Sequence, residues 1–427
     1  MAVVADAAQM QNLLQVILTT LDNSERREAE TIVVRSVKNP ASAALLVQLI
    51  QSDEVGSGVR HLAAILLRKK LFSLWRALPL ENQELLKGIL LDRLGKEPVK
   101  MVRFAVAHVV SILAKAEMRD HHRWPQLEAA IGGAMQSPIP ELRELSMVLV
   151  YAIAEVFGED RDGALVQTIG PALLAGLQDP EIRVRIAALK SVSVVLPFLH
   201  GNRAAKEQLL SNVVPMCGVI IREGILRDDA STLLLRTMDL VEQLCEDLHT
   251  AKHRDHLLFL FNVCIQVMST RAAPHTRIRE HASDILALLC QSKPKFIKEC
   301  GLIESIVESC LTVMSEDDSI SLPFEYDEEQ DEMDDDDVDL LNVRTPCMFA
   351  SKLLNVAVCH LPSKLVRSAI MAKVGGVLES QPSGDNPRQR KAAIIGVACL
   401  AEGDSGYLRR RTTYLLSIAQ KKKTTTK

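Results

Sequence analysis

Aromatic side chains are scarce in this 427-residue chain: Phe, Trp and Tyr together make up 4% of it, and only 2 residues are Trp. Glycine is sparse as well, at 20 residues, whereas Leu, Ala, Val and Ile are plentiful within a 48% hydrophobic content. Sandwiches and barrels draw on aromatic strands and glycine-rich turns, so an all-β fold is excluded and helices packed on helices are favoured. Long apolar runs are missing too. The longest stretch without a charge, Gly163 to Gln178, has sixteen residues and is broken by Gly170, Pro171 and Gly176, so no membrane-spanning helix is expected. No Lys or Arg precedes Arg26; the cationic front of a secretory signal is absent, and the chain is expected to be intracellular. None of the 9 Cys comes before Cys217 and no two form a CxxC pair. They read as small core residues in a reducing compartment, without disulfides or a zinc site.

Charge is present but segregated. The net value of −4 conceals fourteen acidic and no basic residues between Glu316 and Asp339, against 50 basic and 40 acidic groups elsewhere. Eleven carboxylates fall within the fifteen residues from Glu325 to Asp339: Glu325, Asp327, Glu328, Glu329, Asp331, Glu332, Asp334, Asp335, Asp336, Asp337 and Asp339. Self-repulsion and the lack of an apolar face predict a disordered loop. It is either a solvated loop without a partner or an anionic surface for basic ligands whose grip weakens with salt.

A recurring element orders the rest of the chain. An aliphatic residue, then Arg, then a helix of small and aliphatic residues returns at Val59-Arg60-His61, Val102-Arg103-Phe104, Leu142-Arg143-Glu144, Val184-Arg185-Ile186, Leu235-Arg236-Thr237 and Ile278-Arg279-Glu280, in steps of 43, 40, 42, 51 and 43. Arg344 follows after 65, or 41 once the 24-residue acidic segment is removed, and Arg390 after 46 more. Each Arg helix (B) is preceded by an amphipathic stretch (A) such as Ala43 to Ile50, with turn signals between them: Gly56-Ser57-Gly58, Glu97-Pro98, Ser137-Pro138, Ala273-Pro274 and Asp179-Pro180. Asp179 is expected to cap its B helix. Short helix pairs expose apolar faces on both sides and need stacked neighbours. The fold predicted is therefore all-α, a right-handed α-solenoid of about nine HEAT repeats with the acidic loop inside the eighth. B helices are expected to begin near Ser24, Gly58, Val99, Pro140, Glu181, Ser231, His275, Asn342 and Pro387.

Residues 1–315 then hold repeats one to seven and helix A of the eighth. Residues 316–341 are the acidic loop, 342–406 complete the eighth repeat and hold the ninth, and 407–427 start a further repeat and end in a basic tail. That last helix lacks its partner, which points to a truncated chain or an incomplete gene model. Lys421-Lys422-Lys423 reads as a solubilising tail or a localisation signal.

Four segments are more particular than HEAT spacing. Asn23 to Glu30 resembles the opening of the importin β (karyopherin β) superfamily, Val59 to Lys70 followed by Trp75 its second repeat, Glu84 to Lys87 its third, and Trp124-Pro125 its fourth. The acidic insertion sits where receptors of that superfamily often carry an acidic loop. Lys391 to Val397 with Ala401-Glu402-Gly403 is similar to the ninth repeat of the importin-four class, which carries ribosomal proteins and core histones. The resemblance spans the chain and corresponds to the N-terminal half of the family's members. It implies a nuclear import receptor: GTP-bound Ran on the B helices of the first repeats, within roughly 1–120; phenylalanine-glycine nucleoporins in grooves between A helices; and basic cargo released when Ran binds. It also implies a monomer that shuttles between cytoplasm and nucleus, binding neither nucleic acid nor membrane.

Other candidates carry two readings each. Arg68, Lys69 and Lys70 are a candidate contact for Ran or another acidic partner, or cations drawn to a helix end by its dipole. The periodic Arg reads as a cross-repeat strut rather than a phosphate ladder, so Arg60, Arg103 and Arg185 should govern stability. His249, His253 and His256 could ligate zinc only if helical, and their surroundings read as a link between helices. Trp75 and Trp124 read as core. No GxSxG, HExxH or phosphate-loop motif occurs, so the chain reads as a non-enzyme without cofactor. Two other classes stay open: a static HEAT scaffold, as in a phosphatase complex, and a DNA-repair enzyme with a basic groove, which a pI near 6.3 disfavours.

Overall fold

The computed structural model describes residue 4 and residues 6–75, 77–119, 124–158, 164–199, 201–271, 276–316, 345–379 and 387–403. The acidic run Glu325–Asp339, Arg344, the Ala273-Pro274 turn, the positions His275 and Asn342, and the terminal stretch holding Lys421–Lys423 lie outside the described residues. Among the described residues are nineteen α-helices and no strand. The chain is an all-α array of antiparallel helix pairs of HEAT type.

Residues 1–212 form one compact unit and 213–427 a second. In the first unit α1 (Ala7–Thr19) pairs with α2 (Asn23–Ser36), α3 (Ser42–Gln51) with α4 (Ser57–Trp75), α5 (Leu80–Lys96) with α6 (Lys100–Arg119), α7 (Pro125–Met135) with α8 (Pro140–Ala152), and α9 (Ala164–Leu177) with α10 (Ile182–Phe198). Helix α11 (Arg203–Gly224) contains the boundary. The second unit holds α12 (Ser231–Asp247), α13 (Arg254–Ser269), α14 (Thr276–Ser292), the short α15 (Pro294–Glu299), α16 (Ile303–Met314), α17 (Pro346–His360), α18 (Ser363–Glu379) and α19 (Pro387–Gly403). Eight of the second helices start within one residue of the position read from the Arg period, and α17 starts four after Asn342.

Local chemistry explains the helix starts. Asp6 accepts from the Gln9 amide at 2.8 Å and Asp22 from the Ser24 amide at 2.7 Å, capping α1 and α2. Pro125, Pro140, Pro294 and Pro346 stand in first turns, where their missing donor is not needed. Helix α15 was not legible in the sequence; the array turns out of it through Gly301, at φ 68°, a left-handed conformation that glycine adopts without strain.

Each pair buries one face against the next, α4 on α6 and α8 on α10 in the first unit, α14 on α17 in the second. Leu67 and Leu71 of α4 and Leu113 of α6 are almost completely buried, as is Phe349 of α17, whose ring lies against Arg279 of α14. Buried hydroxyls tie neighbours together: Ser191 Oγ donates to the Met147 carbonyl at 2.7 Å and Ser283 Oγ to the Phe349 carbonyl at 3.1 Å. Trp75 and Trp124 are both buried, as expected of core residues.

Two expectations need correction. Asp179 does not cap α10, whose N-cap is Glu181. Its Oδ1 accepts instead from the Glu181 amide at 2.9 Å, closing a turn before the helix, while both oxygens hold Arg143. Arg68, Lys69 and Lys70 are not at a helix end, because α4 continues to Trp75; the dipole of the last turn does not explain them.

Candidate functional site

Three of the periodic arginines are spent on joints between repeats. Arg60 donates from Nη2 to Glu97 Oε1 at 2.9 Å and from Nη1 to the Val55 carbonyl. Arg143 grips Asp179 with Nε at 2.7 Å and Nη2 at 3.0 Å, and donates to the Ser137 carbonyl at 3.0 Å. Arg279 grips Glu316 at 2.9 and 2.8 Å, donates to the Met268 carbonyl at 2.9 Å, and lies 5.8 Å from the Phe349 ring centroid. In each case one arginine satisfies open carbonyls before its own B helix and an acid of the following repeat. Arg103 donates twice to the Glu97 carbonyl of its own turn, at 2.9 and 2.7 Å, and its charge also acts on Glu141 at the start of α8.

Arg236 departs from the expected strut. It is half-exposed and bonds Asp239 of its own helix at 3.1 Å. The 51-residue step before it accommodates a 3₁₀ turn, Asp228–Ala230, which alters the approach to α12. Arg26, absent from the sequence pattern, does act as a cap, donating to the Thr20 carbonyl at 2.7 Å; its place in the turn before α2 is the signal.

Glu97 is the hub of the second and third repeats. Its side chain is fully buried and also takes Arg93, which extends to Asp53 Oδ1 at 2.7 Å. Burial would raise the Glu97 carboxyl, but hydrogen bonds from Arg60, the Val99 amide and Arg93 hold it below the usual glutamate range.

On the B helices, Arg68 and Lys69 are exposed and Lys70 is half-buried. Burial first, then the positive charges of Arg68 and Lys115, push His108 below its ordinary pKa. Arg68 of α4 and Lys115 of α6 thus both act on His108, and of these the sequence reading singled out Arg68 alone. His108 lies 40 residues after Arg68, one repeat step, and a period alignment of charged positions would have found it. Lys115 is shared with Glu155 at 3.0 Å.

Two grooves open in the second unit. One, of about 300 Å³, lies between α16 and α18 and is lined by Ile303, Leu365, Ala369 and Ala372, with Lys298 and Lys373 among its polar residues. The other, of about 550 Å³, lies between α12 and α14 and carries mixed charge: Arg236, Asp239, Arg277, Glu280, His281 and Asp284. There His281 shares a 2.8 Å hydrogen bond with Glu242.

The histidine trio is not one helical face. His253 precedes α13, and its Nδ1 accepts from the His249 amide at 3.1 Å. No group of three metal-ligating side chains occurs among the described residues, and no helix among them is long and apolar enough to cross a membrane. Burial pushes the Cys217, Cys245 and Cys290 thiols up to about 12, so they are protonated packing groups rather than nucleophiles.

The family model described as the importin-beta N-terminal domain matches residues 29–96, and that of IPO5-like TPR repeats matches 98–251. The chain is similar to Importin-4 of Mus musculus, 24% identical over 425 residues that span 97% of this chain and 37% of that protein. Its fold is similar to that of Kap121p bound to RanGTP, with a TM-score of 0.69, and to that of Kap121p bound to Pho4p, with a TM-score of 0.72. Identity is 18% in both, over 96% of this chain and 38% of Kap121p. The chain therefore spans less than two fifths of the length of these relatives. The two adjoining family matches and the likeness to importin-4 along almost the whole chain show what it is similar to: members of the importin β superfamily, importin-4 among them.

Proposed function

We propose that the chain is the N-terminal part of a nuclear import receptor. Its first B helices hold GTP-bound Ran, and basic cargo of the ribosomal-protein or histone class binds further along and leaves when Ran arrives. The observation that carries this reading is the match of the importin-beta N-terminal domain to residues 29–96, which include the exposed Arg68 and Lys69. An acidic partner complements these exposed cations of α4. The eleven carboxylates from Glu325 to Asp339 supply the opposite charge for cargo, and the apolar groove between α16 and α18 is of a kind that takes phenylalanine side chains of nucleoporins. The receptor works as a monomer that shuttles between cytoplasm and nucleus. Ran and cargo are coupled reciprocally: if Ran weakens cargo binding, cargo weakens Ran binding by the same factor.

Binding of the purified chain to Ran loaded with a non-hydrolysable GTP analogue, and with GDP, tests this. The expected result is binding of the GTP form alone, weakened about tenfold by the pair Arg68→Glu and Lys69→Glu. Equal or absent binding in both nucleotide states, with the helical circular dichroism signal intact, overturns it in favour of a static scaffold.

A further inference from the structure

Among the described residues, three helices carry a proline beyond their first turn, and the three are consecutive: Pro171 in α9, Pro197 in α10 and Pro215 in α11. Pro197 stands in a last turn and interrupts little. Pro171 and Pro215 stand mid-helix. Each removes the N–H that would bond the carbonyl four residues earlier, on Gln167 or Ser211, and its ring presses on that carbonyl. Gln167, Pro171, Ser211 and Pro215 are all exposed, so water can satisfy the freed groups.

Side chains loosen the same steps. Thr168 Oγ1 donates to the Ala164 carbonyl at 2.9 Å, Ser211 Oγ to the Glu207 carbonyl at 2.9 Å, and Asn212 Nδ2 to the Gln208 carbonyl at 2.8 Å; such back-bonding bends helices. Beyond each step the helix is locked by close packing. A Cβ on Gly176 would lie 2.7 Å from Met147 Sδ, and one on Gly218 would lie 2.5 Å from Phe259 Cζ. The boundary between the two compact units, at Asn212 and Val213, falls within the loosened step of α11.

We infer that α9 to α11 is the compliant segment of the array, in which α9 bends at the Gln167–Pro171 step and α11 at the Ser211–Pro215 step. Each repeat of a solenoid touches only its neighbours, so softening two helices localises a motion that otherwise spreads over every interface. The inference goes beyond the receptor reading and applies equally to a scaffold.

The double variant Pro171→Ala, Pro215→Ala in the full chain tests it. Both prolines are exposed, so alanine opens no cavity and restores the missing donors. Hydrogen exchange should be at least tenfold faster in α9 and α11 than in α13 and α14 of the wild type, and should slow to the α13 rate in the variant. Spin labels attached without cysteine chemistry at Gln208 and Arg222, exposed positions flanking Pro215, should give a distance distribution that narrows in the variant. Wild-type α9 and α11 exchanging as slowly as α13, an unchanged distribution, or a variant that melts below the wild type each overturn the inference.

Discussion

Arg60 and Glu97 are joined at 2.9 Å across 37 residues, one from the start of a B helix and the other from the turn closing the next A helix. The same relationship returns at Arg143 and Asp179, 36 apart, and at Arg279 and Glu316, 37 apart. Glu97 has no exposed side-chain surface and holds two guanidinium groups, so removing it leaves both without their shared buried acceptor. Glu97→Ala should cost about 3–5 kcal/mol, seen as a lower denaturant midpoint with the helical signal intact beforehand.

Asp179 should behave as a weaker version of the same joint. Asp179→Ala removes two bonds from Arg143 and one from the Glu181 amide, a loss of about 2–4 kcal/mol. Asp179→Asn keeps an acceptor for the amide and should lose less. If the two variants unfold at the same denaturant concentration, the bond from the Glu181 amide contributes little and the loss lies in the Arg143 pair.

Acid should destabilise the chain in two windows. His108 and Glu97 are both held below their ordinary values, of 6.5 and 4.5, so the unfolded chain binds more protons than the folded one on the acid side of each. The His108 contribution is complete above pH 6.5 and falls away below it; the Glu97 contribution is complete above 4.5 and falls away below that. Urea midpoints at pH 8, 5.5 and 4 should decrease in that order, with His108→Gln flattening the first interval and Glu97→Gln the second.

Glycine substitutions should separate packing from backbone freedom. Gly218→Ala drives a methyl into Phe259 and should cost about 1–3 kcal/mol. Gly88, exposed in α5, meets nothing within 4 Å, so Gly88→Ala should stabilise by about 0.5–1 kcal/mol. Thermal melts of the two should shift in opposite directions.

Much of the fold was legible because its signals are local. The period of the arginines, the prolines of first turns and the apolar spacing located the B helices, as at Pro140, Ser231 and Pro387. The candidate site was legible in part: Arg68 and Lys69 are exposed as a contact requires, while His108 and Lys115 come from a different repeat and enter only through stacking.

What the sequence by itself determined is the helical hairpin and its repetition, since capping, helix period and proline stereochemistry act within a few residues. Only the tertiary structure decided which charges meet. An acid 36 or 37 residues away is one of many until the repeats stack, which is why Arg143 found Asp179 while Arg236 settled on Asp239 of its own turn. It also decided where α4 ends. Leu71 and Trp75 in its last turns are buried, and the energy of that burial exists only in the assembled core.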